Sequence, residues 1–441
     1  MRLLARVAWG VLAAWPPLSQ AGLSLDEAIV RQRAIDAPAL ADAPFAPTPL
    51  SLDIDRPDGI VAALGGPGND VPPLLRPVAR GDGGLQVRAH NSFADGAIRA
   101  RIGAVWWPGD DHPASLDESS ISAPLGAGRV YASVERRHWG PSWTGSLILD
   151  AGARPVPAIG WRKDDAEPSR SPLLSWLGPW GADVFGGELA QRSGPRHAHL
   201  LGARVQFMPL AGLELATSRT IQWGGSGRPE SLRSLYDALV GHDNAKSASQ
   251  SGSEPGNQLA GFDARYTLKA GAGRSASVYG QMIGEDEAGG WPSHYLGSAG
   301  ADAAFAIGGA RLRVFIERSN TTMRGAFGAP LLGGAYRHHI YTDGYTQLGD
   351  PLGYPAGGDV RMTSAGVFVD HGAWTAALML HSGSAYPTAQ LYPGGGRLSG
   401  ANAELSWQVN ADSRLGLALM RWSDPFATHN RAQLSWQQAF R

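Results

Sequence analysis

The chain has 441 residues, a formal net charge of -1, 17% charged side chains and no cysteine. That balance gives no support to nucleic-acid binding, which shows as a basic patch or a high pI, and the missing thiols exclude disulfides and thiolate metal sites. Past the N-terminus no apolar run reaches the ~20 residues that a membrane-crossing helix needs, a bound that leaves strands free to cross, because strands hide their hydrophobicity in alternation.

Residues 1–21, MRLLARVAWGVLAAWPPLSQA, read as an export signal. Arg2 and Arg6 give the positive start, an apolar stretch follows, and Ser19-Gln20-Ala21 is a small-x-small cleavage site. Residues 22–80 are expected to form a periplasmic segment, partly helical or linker. There Ser24-Leu25-Asp26-Glu27 fits a capping box, Leu25, Ala28, Ile29 and Ile35 continue a helix, and Pro38 ends it. The stretch from 37 to 77 is rich in Ala, Pro and Gly and has little periodicity.

A large antiparallel transmembrane β-barrel is expected over 81–441. From Gly84 onward segment after segment alternates with period two. Leu201, Ala203, Val205 and Phe207 oppose Gly202, Arg204 and Gln206; Leu312, Val314 and Ile316 oppose Arg311, Arg313 and Glu317; Leu405, Trp407 and Val409 oppose Glu404, Ser406, Gln408 and Asn410. A soluble sandwich alternates too. Charged residues in mid-strand suit a wet lumen instead, and Trp106, Trp107, Trp161, Trp176, Trp180, Trp422 and Trp436 near segment ends suit an interfacial girdle. At roughly 20 residues per strand with its connection, this length gives about 18 strands, an even number as bacterial barrels require. Short turns at 269–273 and 410–413 contrast with long Gly/Pro/Tyr-rich loops at 325–358 and 386–396. The terminal RAQLSWQQAFR places Ala432, Leu434, Trp436 and Phe440 on one face, as a closing strand would.

Candidate chemistry lies in the loops. Arg136-Arg137-His138-Trp139 follows a strand; Arg137 and Trp139 could bond and stack on a sugar, or the arginines could sit in a lumen ion-pair network. Residues 213–244 run from a strand through Gln222-Trp223-Gly224-Gly225 into a short helix near 229–241. With Arg228 that turn could be a ligand platform, the glycines permitting close backbone approach, or the insert could fold inward as a plug. Glu285-Asp286-Glu287 could hold calcium or work on a glycosidic bond, but adjacent strand residues point opposite ways, so a solvated turn is the simpler reading. His197/His199 and His338-His339 lack an evident third ligand. No G-x-S-x-G or H-E-x-x-H template occurs, and no cofactor or metal is expected.

Three stretches carry a resemblance in their order and spacing: ERRHWGPSWTGSLILDAGARPVPAIGWRK at 135–163; LSWLGPWGADVF at 174–185 followed by SRTIQWGGSGRPESL; and EPGNQLAGFDAR at 254–265 continuing to YGQMIGEDEAGGWPSHYLG. Together they resemble the capsule-assembly Wzi family of outer-membrane proteins, densely from about 128 to 300. The resemblance implies a monomeric barrel near 18 strands with a small periplasmic helical bundle. It also implies a non-enzymatic, lectin-like role in holding exported capsular or exopolysaccharide at the cell surface, in contact with outer-membrane lipid or lipopolysaccharide. On these grounds the expected polysaccharide contacts are Arg137, His138, Trp139, Arg154, Gln222, Trp223, Arg228 and Asn257. A porin or polysaccharide export channel is the rival reading, and an outer-membrane hydrolase a weaker one.

Overall fold

A strand that crosses lipid must pair every backbone group with a neighbour, so only a sheet closed on itself can do it. The structure, a computed structural model, describes residues 28, 31, 35, 47–50, 58–65, 85–106, 114–165, 167–240, 256–271, 273–288, 291–325 and 329–440, and of 286–288 and 291–293 the backbone alone. The expected export signal, the Ser24–Glu27 capping box and most of the lead-in lie outside the described residues; Ala28, Arg31 and Ile35 are helical.

The strands are β1 (Gly59–Leu64), β2 (Leu85–Asp95), β3 (Ile98–Trp106), β4 (Ala114–Ser115), β5 (Ser120–Leu125), β6 (Gly128–Ser133), β7 (Ala158–Lys163), β8 (Trp180–Glu188), β9 (His199–Leu210), β10 (Leu213–Trp223) and β11 (Gly256–Lys269). There follow β12 (Ser275–Ala288), β13 (Trp291–Ile307), β14 (Ala310–Arg324), a two-residue hairpin of β15 (Thr346–Gln347) and β16 (Asp350–Pro351), then β17 (Val360–His371), β18 (Trp374–Ala385), β19 (Gly396–Gln408), β20 (Ser413–Ser423) and β21 (Thr428–Ala439). A helix, α1 (Leu232–Leu239), lies between β10 and β11, and a single 3-10 turn, Ser175–Leu177, precedes β8. Because β4 and β5 both pair with β3, they act as one interrupted strand, and the wall is a closed barrel of 18 antiparallel strands. Closure falls on β1, which pairs with β2 on one side and with β21 on the other, Gly59 opposite Ala439 and Leu64 opposite Leu434.

The first strand therefore lies upstream of the boundary expected at 81. Its six residues, GIVAAL, carry no polar side chain that would have marked an alternation. Elsewhere the alternation holds. Along β9, Gly202, Arg204 and Gln206 face the lumen and are buried, while Leu201, Ala203, Val205 and Phe207 face out. Along β14, Arg313, Phe315 and Glu317 face in, whereas Val314 and Ile316 are exposed on the outer wall. Trp374 and Trp407 stack at 5.3 Å on that wall, and Trp436 continues the same row beyond Leu415, as an interfacial girdle requires. Trp422 is an exception to the girdle expected from its place near a strand end: its parity turns it into the lumen, where it is fully buried beside Tyr392.

One rim carries the short connections 96–97, 126–127, 211–212, 308–309 and 372–373, and the other carries the long ones, 134–157, 224–255 and 325–359. By the rule for such barrels the short side is periplasmic and the long side extracellular. The chain is an outer-membrane protein. Ile316, halfway along β14 and exposed outward, gives a direct check: Ile316→Arg should destabilise the barrel by roughly 2–4 kcal/mol in a bilayer, the penalty for a charge near the membrane midplane. Denaturant unfolding in vesicles measures it.

Candidate functional site

Two of the long loops do not project from the barrel but fold into it. Residues 134–157 are almost wholly buried, and 335–359 joins them to build an apolar core inside the extracellular half of the lumen, with Trp139, Leu147, Ile148, Phe185, Tyr336 and Tyr354 among its members. An inward-folded loop loses water from its amides, so the wall must replace it. It does: Glu317 on β14 accepts the Trp143 N–H at 2.9 Å and the Thr144 N–H at 3.1 Å. Gln281 on β12 accepts from Leu147 N–H at 2.7 Å and donates to Trp139 O at 2.6 Å. The two loops tie to each other as well, through Asp150 N–H to Leu352 O at 2.7 Å and the Tyr336 hydroxyl to Leu147 O at 2.7 Å.

Below the plug the lumen is charged. Asp302 pairs with both Arg265 and Arg313 and accepts from the Trp143 indole N–H at 3.1 Å. Arg204 grips Asp263 through two nitrogens at 2.6 and 2.9 Å. From the periplasmic side Arg31 donates to Ser142 O at 2.9 Å and Gly140 O at 2.8 Å and lies over the Trp143 ring. Burial, with Arg265 nearby, lowers its pKa to about 10, which leaves it cationic at neutral pH.

The expected contact residues divide between this plug and the outer rim. Arg137 is buried, 3.5 Å from Asp183 and 4.1 Å above the Phe185 ring. His138 sits between Asp150 and Ser142 O, both at 2.9 Å. Trp139 is wholly buried, edge-on to Phe185. Arg154 forms a two-nitrogen pair with Asp117 at 2.9 and 3.2 Å. Gln222 donates to Gly344 O at 3.1 Å and accepts from Asn257 at 2.7 Å, and both are buried. These six belong to the fabric that holds the loops in place. For Arg137 the ion-pair alternative describes its surroundings.

Trp223 and Arg228 are different: both are half-buried on the extracellular rim. Trp223 stacks against His199 at 5.3 Å. Three loops meet around Arg228, joined by Ser226 N–H to Arg196 O at 2.7 Å, Tyr341 hydroxyl to Gly224 O at 3.3 Å, and Asp343 taking Ser193 N–H at 2.8 Å. Gly224 and Gly225 have φ of 69° and 96°, and a Cβ on Gly225 would sit 3.0 Å from Pro195, so the turn accepts no side chain there. The same loops display Arg192, Arg196, Arg337 and His339 to solvent. The sequence reading marked 325–358 only as a Gly/Pro/Tyr-rich loop and did not place its four tyrosines, 336, 341, 345 and 354, in the interior. The described part of the insert, 224–240, also does not plug the lumen, as one reading of 213–244 had it. Its helix turns outward, because Arg219 on the outer wall donates to Leu239 O at 2.7 Å. Among the described residues no group of three or more His, Asp or Glu could hold a metal.

Two outcomes are expected. Replacing Glu317 by Ala leaves the buried Trp143 and Thr144 amides without their acceptor, a cost of roughly 1–3 kcal/mol for each group, so amide exchange at Trp143 and Thr144 should quicken by at least ~10-fold; combined with Gln281→Ala it should turn a silent barrel into a fluctuating conductor in planar bilayers. His338, half-buried beside His339 and Arg228, has its pKa lowered to about 4, first by burial and then by those two neighbours. Its folded value lies below the ordinary 6.5, so the closed loop is favoured above that pH and loses stability as pH falls from there toward 4. Exchange at 336–344 should rise over that window, and His338→Gln should flatten the rise.

The comparisons agree with this architecture. The solved structure of Wzi from Escherichia coli, described as an outer-membrane protein involved in group 1 capsule assembly and a carbohydrate-binding β-barrel, superposes with a TM-score of 0.74 at 25% identity, over 87% of this chain and 85% of that one. An uncharacterized 55.8 kDa protein in the cps region of Klebsiella pneumoniae is 37% identical over 183 residues, which is 42% of this chain and 36% of the relative, so the match spans little more than a third of that protein. Residues 79–433 match the family described as capsule assembly protein Wzi, and the chain belongs to that family.

Proposed function

We propose that this protein is a surface lectin that holds exported capsular or exopolysaccharide at the outer membrane and helps assemble it there, without cleaving or transporting it. What carries the reading is the filled lumen. A barrel whose own loops occupy its interior, fastened by Glu317 and Gln281, leaves a polymer no path through, and the rim is then the surface that can meet it. This argues against the porin or export-channel reading.

The rim also suits the ligand. Arg192, Arg196, Arg228 and Arg337 lie on the loops that join around Gly224–Gly225, on the rim that also carries the tilted Trp223–His199 pair. Guanidinium groups bond carboxylates and vicinal hydroxyls in a planar, two-pronged way, so an acidic polysaccharide fits better than a neutral one. On this reading Trp223 and Arg228 contact sugar. Arg137, His138, Trp139, Arg154, Gln222 and Asn257 act one step back, holding the loops that present it. The chain would reach this surface as a monomer after export through the signal at 1–21.

The test is retention of polysaccharide. Cells without the gene should shed what wild-type cells keep, and a variant with Trp223→Ala and Arg228→Ala should restore the barrel but not retention. The purified variant should bind acidic polysaccharide at least ~10-fold more weakly, about 1.4 kcal/mol, and wild-type binding should weaken with salt as exposed charge pairs do. Unchanged retention in the null strain removes the assembly role; undiminished binding by the variant moves the contact elsewhere.

A further inference from the structure

The helix between β10 and β11 poses a separate question. Along β10 the lumen-facing residues are Glu214, Ala216, Ser218, Thr220 and Gln222, so Arg219 and Trp223 point away from the lumen. Gln258 on β11 stands opposite Ile221 and also points out. These outward groups hold α1. Arg219 donates to Leu239 O at 2.7 Å and Ala238 O at 3.2 Å, Gln258 donates to Ala238 O at 3.0 Å, and the Trp223 indole N–H donates to Ser234 Oγ at 3.3 Å. The helix is thus fastened against the outside of the barrel, with its C-terminal carbonyls on a cation, as the helix dipole favours.

The side of α1 that turns from the wall is apolar. Leu232, Tyr236, Leu239 and Val240 fall at helical spacing, and Leu232 is 86% and Tyr236 61% exposed. Arg233 and Asp237 occupy the other flank. Below Arg219 the same outer surface continues as Thr217 and Phe262 into Met282 and Val278, the apolar band that faces lipid. We propose that α1 is an interfacial helix, lying at the edge of the outer leaflet with its Leu232–Tyr236–Leu239 stripe among acyl chains. A stripe that water would penalise is continuous with a surface already in lipid, and amphipathic helices of this pattern settle at that boundary. Tyrosine suits the same depth. The helix then fixes the height of the Trp223–Arg228 turn above the bilayer.

The absence of cysteine allows single nitroxide labels at Leu232→Cys and Tyr236→Cys in the full chain reconstituted in phospholipid vesicles. Val278→Cys on the lipid-facing wall and Ser226→Cys in the exposed turn before the helix serve as references. Power saturation with oxygen against a water-soluble nickel chelate should give both helix sites a ratio several-fold above that of Ser226→Cys and approaching that of Val278→Cys. Chelate accessibility equal to Ser226→Cys overturns the proposal. So does shielding from both reagents, which would mean that protein covers the stripe, a second copy if spin–spin broadening accompanies it. Heat-modifiable migration on gels establishes that each labelled barrel is folded.

Discussion

The architecture depends on how the wall of the barrel satisfies the backbone of the loop inside it. Residues 139–148 enter a space where water is excluded, and each buried amide there without an acceptor would cost about 1–3 kcal/mol. The wall supplies the acceptors from side chains that sequence places at lumen-facing parity. Glu317 takes two consecutive amides, Gln281 takes one and gives one, and Asp302 takes the indole of Trp143 while it balances Arg265 and Arg313. With these bonds the loop packs as a core. Without them the same residues would be a tether in an open channel.

That arrangement turns the interior into two layers with different physics. The extracellular half is an apolar core, where Trp139, Tyr336 and Tyr354 pack against wall residues such as Leu200, Leu259 and Ile283. The middle is a belt of ion pairs that share partners. Each such charge is expensive to bury alone and tolerable only because its partner is fixed on the barrel wall nearby; Arg204 and Asp263, for instance, lie two strands apart and meet across the lumen side of β10. The belt also meets the N-terminal segment, since Arg31 reaches the carbonyls of Gly140 and Ser142 from below. The lumen is thus fastened from both rims onto the turn around Trp143.

The wall was legible in the sequence because alternation is a strong, local signal: β9, β14 and β21 announce their inner and outer faces residue by residue. Two features escaped it. GIVAAL carries no polar partner side, so parity leaves no trace, and only its pairing with Leu434 to Ala439 identifies it as the strand that closes the barrel. Trp422 looks like a girdle residue by position, yet its parity relative to Leu417 and Leu419 turns it inward. The candidate contacts were harder still. An Arg-Arg-His-Trp run has the chemistry of a sugar site and of a buried network alike, and what decides between them is Asp183 on β8, which meets Arg137, and Asp150 further along the same loop, which meets His138. Likewise, whether the 224–240 insert folds in or out rests on Arg219 and Gln258, whose outward parity becomes meaningful only once the barrel is closed.

The division between buried and exposed arginines carries the functional argument furthest. Arginines 137, 154, 162, 204, 265 and 313 are buried and each pairs with a carboxylate, so a polymer could engage their guanidinium groups only by breaking pairs whose loss is strongly destabilising. Arg192 and Arg196 are exposed on a loop whose fold is set by backbone bonds to Asp343 and Ser226, so their side chains can change partners without disturbing the barrel. Recognition placed on such a rim and stability placed in the lumen can vary independently. Under the proposed lectin role, a surface that must follow the changing chemistry of an exported polymer needs that separation, and a filled barrel provides it in a way that an open channel, whose lining serves both purposes, does not.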